Sequence, residues 1–324
     1  MAEIDDKALV SVIIPTYNRA GILPLAINSA LSQSYANVQI IVVDDGSEDN
    51  TAEIIKAFPT VEYYVKEHGG QAAARNFGLS KARGTFIATL DSDDIWSPEF
   101  LAKCVAKMEA GDLDLVFANW LQNYIYGDTT DYLTGDPNVK RYIKPTPDRW
   151  IDLTYAEARH LFLLCCPSPS SSLMIRKSSI VTEWNENILI GDDWCMCLDI
   201  ILSKERKIAF TIEPLWEKRI DSQNIFDGRT RHEVLRFLYI QDLETMTDRF
   251  KEKLSKEELF TFRMLYMAAL VELSKHEIIR GFNLKEAMRL LKKSFAADVG
   301  YTLKMIPFTL RESMRKKWMA IKKP

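Results

Sequence analysis

The sequence predicts an α/β protein in which a mainly parallel, doubly wound sheet is followed by a helical C-terminal region. Between residues 10 and 120, short apolar runs alternate with segments of helical spacing, which is the rhythm of β-α-β units. Two of these runs end abruptly in adjacent carboxylates, as expected where open α/β sheets bind ligands at strand ends. After about residue 230 the segments become amphipathic and contain few helix breakers. We therefore expect one domain at 1–228 and a helical region at 229–324.

The strands of the first domain are predicted from short apolar runs, and its helices from apolar positions three or four residues apart. Pro15 follows the first run, and we expect it to stop that strand and to direct the next loop into the ligand crevice. Asn50 and Ser97 are predicted helix N-caps. The predicted strands are 10–14, 40–43, 61–65, 86–90, 113–118, 171–176, 208–212 and 215–220. The predicted helices are 23–31, 51–58, 70–81, 98–108 and 193–202.

Residues 121–170 are rich in Tyr, Asp, Pro and Thr, and we interpret them as loops that shape a pocket. The C-terminal helices are predicted at 231–252, 256–277, 284–296 and 302–321. The final stretch, 301–324, carries seven Lys or Arg residues against a single acid, Glu312, with apolar residues between them. A basic amphipathic helix of this kind can lie on an anionic membrane surface. Docking of the same helix on the body of the protein is the alternative.

Composition excludes several classes of protein. A hydrophobic content of 47% supports an ordinary core, and a net charge of −3 leaves no electrostatic footprint for nucleic acid. No run approaches the roughly 20 apolar residues that a membrane-spanning helix needs. Five cysteines without a Cys-x-x-Cys pair argue against a disulfide framework and indicate a reducing cytosol. We expect a cytoplasmic protein, with peripheral contact to the inner face of the membrane through 301–324 and with homo-oligomerisation of the helical region left open.

Five short motifs follow one another along the first domain, at 12–18, 43–47, 70–76, 90–94 and 191–194. In their order and spacing they resemble the signature of the family 2 glycosyltransferases, over roughly residues 10–225. The resemblance implies the GT-A fold, which is Rossmann-like, and an inverting enzyme that uses a nucleotide sugar. The partners implied are a UDP-sugar donor and a saccharide or lipid-linked saccharide acceptor, in the synthesis of bacterial surface polysaccharide such as capsule, O-antigen or exopolysaccharide.

The resemblance also assigns the donor site. The loop that follows the first strand would edge the nucleotide, and Asp45 would accept hydrogen bonds from the uracil or the ribose, since both carry donors. Arg75 would lie near the base and the acidic residues, where it could offset their charge with help from Gln71. The residues implied to bind the nucleotide sugar are Pro15, Thr16, Tyr17, Asn18, Asp45, Arg75, Asp91, Ser92, Asp192 and Trp194.

The chemistry is implied by the remaining acids. Asp93 ends an Asp-x-Asp motif and is the expected ligand of Mn²⁺ or Mg²⁺, because a nucleoside diphosphate leaves readily only when its charge is neutralised. Asp221 stands where the family has a metal-binding His, and it is the second expected ligand. Asp94 is expected to cap the next element. Asp193 matches the family's general base, which takes the proton of the acceptor hydroxyl. Asp192 replaces the Glu that usually precedes that base.

Two other functions compete with this interpretation. The run that ends in Asp91 and Asp93 also occurs in aspartyl phosphatases, although Ile95 and the absence of a downstream Lys pattern fit those enzymes poorly. A catalytically silent module of the same fold, which binds nucleotide or sugar, is the second alternative, and the departures at Asp192 and Asp221 motivate it. That module would bind UDP without transferring or hydrolysing a sugar.

Overall fold

The structure is a computed structural model that describes residues 7–124, 129–220, 228–307 and 309. The chain divides into two compact units, one made of 1–186 and 192–221 and the other of 187–191 and 222–324. No helix within the described ranges is long and apolar enough to cross a membrane.

The first unit contains ten strands and seven α-helices among its described residues. The strands are β1 (Val10–Thr16), β2 (Val38–Asp44), β3 (Glu62–Val65), β4 (Phe86–Thr89), β5 (Ile95–Trp96), β6 (Leu115–Tyr124), β7 (Thr129–Asp131), β8 (Trp150–Leu153), β9 (Leu173–Arg176) and β10 (Ile208–Ile220). The helices are α1 (Leu23–Leu31), α2 (Thr51–Ile55), α3 (Gln71–Lys81), α4 (Phe100–Ala110), α5 (Pro137–Lys140), α6 (Tyr155–Leu164) and α7 (Asp192–Ile201).

All ten strands belong to one mixed sheet, whose main path runs in the order β3-β2-β1-β4-β9-β6-β10-β5. The first four strands of this path are parallel, whereas β9 is antiparallel to both of its neighbours. Strand β10 pairs in parallel with β6 and in antiparallel fashion with β5 and β8. The structure confirms the predicted α/β class with a central sheet, and the parallel strands bring the carboxyl ends of β1, β2 and β4 to one edge.

The buried parallel strands explain the early part of the fold. Ile13, Ile41 and Ile87, from three neighbouring strands, form a core cluster with Ala74 of α3, and all four are fully buried. Burial on this scale contributes roughly 1.5–3 kcal/mol for each large aliphatic side chain. Gly78 lets α3 approach the sheet closely, because a Cβ at this position would lie 2.5 Å from the Cγ2 of Ile13.

The expectation that Pro15 stops the first strand is wrong, since β1 continues through it to Thr16. Ile13 accepts a hydrogen bond from the N–H of Leu90 on the β4 side, and Pro15, two residues on, faces the same side. The register of β1 with β4 ends at Ile13 and Thr89. The missing N–H of Pro15 therefore faces a position beyond the last paired residue and costs no hydrogen bond in the sheet.

Three other local expectations are corrected. The predicted loops of 121–170 contain the end of β6 and all of β7, α5, β8 and α6, and a capping box between Thr154 and Glu157 starts α6. The strands expected at 208–212 and 215–220 form the single strand β10, which is irregular around Pro214. Ser97 does not cap α4, which begins at Phe100 without a side-chain cap.

The second unit is helical. Its helices are α8 (Arg231–Arg236), α9 (Leu243–Phe250), α10 (Lys256–His276) and α11 (Leu284–Ala297), with a π-helical segment at Phe237–Asp242 and further helix at 299–307. Leu235, Leu270, Leu273 and Leu290 are buried members of its core. The predicted helix 302–321 lies mostly outside the described residues.

Candidate active site

The candidate site lies at the carboxyl edge of the parallel strands. Strand β1 lies between β2 and β4, and acidic loops follow both of these neighbours. The N–H of Asp45 donates to the carbonyl of Thr16 at 2.9 Å, so the loop after β2 starts against the end of β1. Asp91 follows β4, which is two strands away from β2 in the sheet, so the ends of these two strands are about 10 Å apart.

The loop after β1 is fastened to the loop after β2. Asn18 has a φ of 52°, and its N–H donates to the hydroxyl of Ser47 at 2.8 Å while its side-chain oxygen accepts from the N–H of Glu48 at 2.8 Å. Tyr17 is 41% exposed and stacks on His68, with ring centroids 4.3 Å apart. The buried hydroxyl of Thr16 has no hydrogen-bond partner among the described residues.

Asp45 is buried beneath the loop that precedes α3. One carboxylate oxygen accepts from the ammonium group of Lys66 at 2.8 Å and from the N–H of Gly69 at 3.0 Å. The other accepts from the N–H of Gly70 at 2.7 Å and lies 2.9 Å from Nδ1 of His68. The carboxylate predicted to contact the base thus also organises the loop that covers it.

Arg75 is the charged centre of the site. It is 1% exposed, and its guanidinium donates to Asp192 and, at 2.8 Å, to Asp91; it also lies 3.5 Å from an oxygen of Asp193. Gln71, one turn earlier on α3, donates to Asp192 at 2.7 Å. Although burial disfavours a charged guanidinium, the three carboxylates hold the pKa of Arg75 well above its usual value. One cation therefore gathers acids from the loop after β4 and from the start of α7.

The acids at the start of α7 have different environments. Asp192 is fully buried, and burial raises its pKa to about 8 against the opposing charge of Arg75, with Asp193 adding to the rise. Asp193 is partly exposed at 14%, and Ser170 donates to both of its carboxylate oxygens. Trp194 is buried, and its indole N–H donates to the carbonyl of Phe162. Its place in the core does not match the expected contact with the sugar.

The loop after β4 holds a three-carboxylate cluster. Oxygen atoms of Asp91, Asp93 and Asp94 all lie within 4.8 Å of one another. Burial and, after it, the charge of Asp91 together raise the pKa of Asp93 to about 6. Burial and the two neighbouring carboxylates also raise the pKa of Asp94. Like charges this close favour a cation among them, and an all-oxygen donor set suits Mg²⁺ or Mn²⁺.

Asp94 is part of this cluster, contrary to the expectation that it caps the next element. Its side chain is buried, one oxygen accepts from the hydroxyl of Ser171 at 2.6 Å, and the other has no hydrogen-bond partner among the described residues. Ser92, between the two acids of the motif, is 7% exposed. Asp221, the second expected metal ligand, lies outside the described residues.

Sequence reasoning did not find four residues that contact the predicted acids. Lys66 and His68 hold Asp45, and Ser170 and Ser171 hold Asp193 and Asp94. The run Ser-Pro-Ser-Ser-Ser at 168–172, directly before a buried strand, was the available signal for the serines. Lys66 and His68 lie in a polar loop, and no pattern separated them from solvated neighbours.

Open α/β sheets bind their ligands at the carboxyl edge of the strands, and here that edge carries acids, three of which lie close enough together to share a cation. The family model for glycosyl transferase family 2 matches residues 11–177, which is about half of the chain. The chain belongs to this family and is a glycosyltransferase.

Relatives agree with this assignment. An uncharacterised glycosyltransferase of Rickettsia typhi is 27% identical over 312 residues, which cover 94% of this chain and 92% of that protein. The Escherichia coli enzyme WfgD, named as a UDP-Glc:alpha-D-GlcNAc-diphosphoundecaprenol beta-1,3-glucosyltransferase, is 38% identical over 118 residues. That match covers 36% of this chain and 47% of WfgD.

Solved structures show the fold. TarS 1-349 of S. aureus in complex with UDP-GlcNAc superposes with a TM-score of 0.59 at 19% identity, over 95% of this chain and 92% of that one. The mannosyltransferase PcManGT of Pyrobaculum calidifontis, in complex with GDP-Man and Mn²⁺, gives a TM-score of 0.56 at 16% identity over 98% of this chain and 88% of that one. These likenesses confirm the GT-A-like fold.

Proposed function

We propose that this chain is an inverting, metal-dependent hexosyltransferase that moves a sugar from a UDP-sugar to an acceptor hydroxyl. The observation that carries the proposal is the position of Arg75, whose guanidinium contacts both Asp91 of the cation-binding cluster and Asp193 of α7. Acids from separate loops are thus close enough to serve one bound substrate.

Asp193 is the proposed general base. It is partly exposed, whereas the neighbouring Asp192 is fully buried and bonded to Arg75 and Gln71. In the proposed step the acceptor oxygen forms a bond to the anomeric carbon while the bond from that carbon to the diphosphate oxygen breaks. The proton of the acceptor hydroxyl passes to the carboxylate of Asp193. A single displacement of this kind inverts the configuration at the anomeric carbon.

Asp91, Asp93 and Asp94 are the residues that would hold a divalent cation, and they fit it because their oxygens converge within 4.8 Å and one oxygen of Asp94 is buried without a partner among the described residues. The cation would neutralise charge on the departing diphosphate. Asp221 remains proposed as a further ligand. Asp192 is fully buried and bonded to Arg75. We therefore propose that Asp192 holds Arg75 in place beside the sugar-binding residues and does not itself contact the sugar.

Uracil is the proposed base of the donor nucleotide. The names of WfgD and of the TarS complex refer to UDP-Glc and UDP-GlcNAc. Thr16, Tyr17 and Asp45 meet at the ends of β1 and β2, where the resemblance places the nucleotide. Tyr17 offers an exposed ring for stacking, and Thr16 offers a hydroxyl without a partner among the described residues.

The proposed acceptor is a lipid-linked saccharide on the cytoplasmic face of a bacterial membrane, in surface polysaccharide synthesis. The name of WfgD includes a diphosphoundecaprenol-linked acceptor.

We also propose that 301–324 contacts anionic lipid, because seven cations accompany its apolar residues. In the second unit the side chains of Phe282, Leu284 and Met288 are 85%, 63% and 64% exposed, which supports the same contact. Deleting 301–324 should reduce co-sedimentation with anionic liposomes, and unchanged binding would contradict the proposal.

The decisive experiment measures hydrolysis of the donor over a panel of UDP- and GDP-sugars, with Mn²⁺ and with EDTA, for the native chain and for Asp193→Asn. We expect UDP release from a UDP-sugar that requires Mn²⁺. With an acceptor, Asp193→Asn should lower turnover by a factor of about 100 to 10,000 while UDP affinity stays nearly unchanged. Full turnover by Asp193→Asn would refute the base assignment, and UDP binding without turnover by the native chain would favour a silent binding module.

A further inference from the structure

Three consecutive serines connect the proposed base to the proposed cation site. Ser170–Ser172 form a buried 3₁₀ turn immediately before β9. The turn is fixed to the sheet on both sides, because the hydroxyl of Thr89 donates to the carbonyl of Ser170 at 2.7 Å and the indole N–H of Trp96 donates to the carbonyl of Ser171 at 2.7 Å. Its side chains are therefore presented from a rigid position.

Ser170 holds Asp193 at both oxygens. Its hydroxyl donates to Oδ1 at 2.6 Å, and its backbone N–H donates to Oδ2 at 3.1 Å. A carboxylate bonded at both oxygens by one residue has a single orientation, and each oxygen keeps a lone pair for another hydrogen.

Ser171 holds the acidic loop on the other side. Its hydroxyl donates to Oδ2 of Asp94 at 2.6 Å and accepts from the backbone N–H of Asp91 at 3.0 Å. Ser172 differs from both, because its hydroxyl donates to the carbonyl of Pro169 at 2.6 Å and this hydrogen bond stays within the turn. Adjacent residues of one turn thus fix both Asp193, the proposed base for the acceptor, and the acidic loop that would hold the cation for the donor diphosphate.

We infer that Ser170 and Ser171 are positioning residues that set the distance between the base and the cation-binding loop. The inference rests on the proposed function, in which Asp193 takes a proton and Asp91, Asp93 and Asp94 hold the cation. Effective attack needs the base and the leaving group to be placed within a few tenths of an ångström, and small misplacements cost rate heavily.

The test compares Ser170→Ala, Ser171→Ala and the matched control Ser172→Ala in the full chain. Ser170→Ala should lower kcat about tenfold while KM for the donor and Kd for UDP stay within twofold. Ser171→Ala should weaken Mn²⁺ binding about fivefold, as measured calorimetrically in the presence of UDP. Ser172→Ala should change neither quantity, although it removes a hydroxyl from the same turn.

Ser170→Cys, which keeps the volume and weakens the donor, serves as the second variant if Ser170→Ala fails to fold, and it should lower kcat in the same direction. Native kcat in both Ser170 variants, or an equal loss in Ser172→Ala, would overturn the inference. The outcome for Asp193→Asn separates the two levels: an active Asp193→Asn refutes the proposed base, whereas an inactive Asp193→Asn with native activity in Ser170→Ala refutes only the positioning role.

Discussion

Replacing Arg75 with Met tests whether the buried guanidinium holds the site together by charge. Arg75 is 1% exposed and bonds to Asp192, which is fully buried, and to Asp91, whose side chain is 34% exposed. Breaking a buried ion pair typically costs about 3–5 kcal/mol, and the exposed partner adds at most about 1 kcal/mol. We expect Arg75→Met to lose about 4 kcal/mol of unfolding free energy, which lowers the thermal midpoint by about 10 °C.

Arg83 provides the matched control. It pairs with Glu62 at 2.6 Å, but the two side chains are 63% and 29% exposed, so Arg83→Met should cost no more than about 1 kcal/mol. Both variants are measured by calorimetric melting of the full chain at the same salt and at pH 9, where Asp192, whose pKa is raised to about 8, is ionised. A loss for Arg75→Met as small as that for Arg83→Met would refute the view that the buried cation supports the acidic cluster.

Three further predictions concern single side chains. Because burial raises the pKa of Asp192 to about 8, the folded chain binds more protons than the unfolded chain between about pH 4 and 8. The thermal midpoint of the native chain should therefore fall relative to that of Asp192→Asn as the pH rises through this window. Parallel curves of midpoint against pH for the two proteins would contradict this prediction. Thr16→Val should weaken UDP binding severalfold and leave the midpoint unchanged, because its hydroxyl has no partner among the described residues; calorimetric titration with UDP tests this. Ser97→Ala should be neutral, whereas Thr154→Ala should cost about 1 kcal/mol through loss of the capping box; equal effects on urea unfolding would refute this account.

The sequence predicted the buried elements of the fold better than the exposed ones. Helix α1 was predicted at 23–31 and is observed at Leu23–Leu31, because its apolar spacing leaves one register for packing. Strand β10 was predicted as two pieces on either side of Pro214, yet pairing with β6 continues the strand across the irregularity. The prediction that Ser97 caps α4 was wrong, because the helix begins at Phe100 without a side-chain cap.

For the candidate site, the sequence identified acids but not the residues that orient them. Asp45, Asp93 and Asp193 stood out because short motifs surround each of them. The contact between Ser170 and Asp193 spans 23 positions, and that between Ser171 and Asp94 spans 77, so local patterns carry no trace of either. Partners of this kind follow from the sheet order, which places β9 beside β4 and is not encoded in any single segment.

We expect the carboxylates at the edge of the sheet to oppose binding of the donor diphosphate. Asp91 and Asp193 share the guanidinium of Arg75 with the buried Asp192, whose pKa is raised to about 8, and Asp93 and Asp94 place two more carboxyl groups at the same edge, where Arg19 lies 3.5 Å from Asp93. A nucleoside diphosphate is itself an anion, and two unit charges 4 Å apart repel by about 4 kcal/mol at an effective dielectric constant near 20.

We therefore expect the diphosphate to approach this edge favourably only with a divalent cation. We expect UDP affinity, measured by calorimetry, to fall about 100-fold when Mn²⁺ is replaced by EDTA, and uridine affinity to change little because uridine has no phosphate. Asp94→Asn should reduce the difference between the two conditions, since it removes one carboxylate from the cluster that would hold the cation. UDP affinity that is the same with EDTA as with Mn²⁺ would show that protein cations, and not a bound metal, compensate the phosphates.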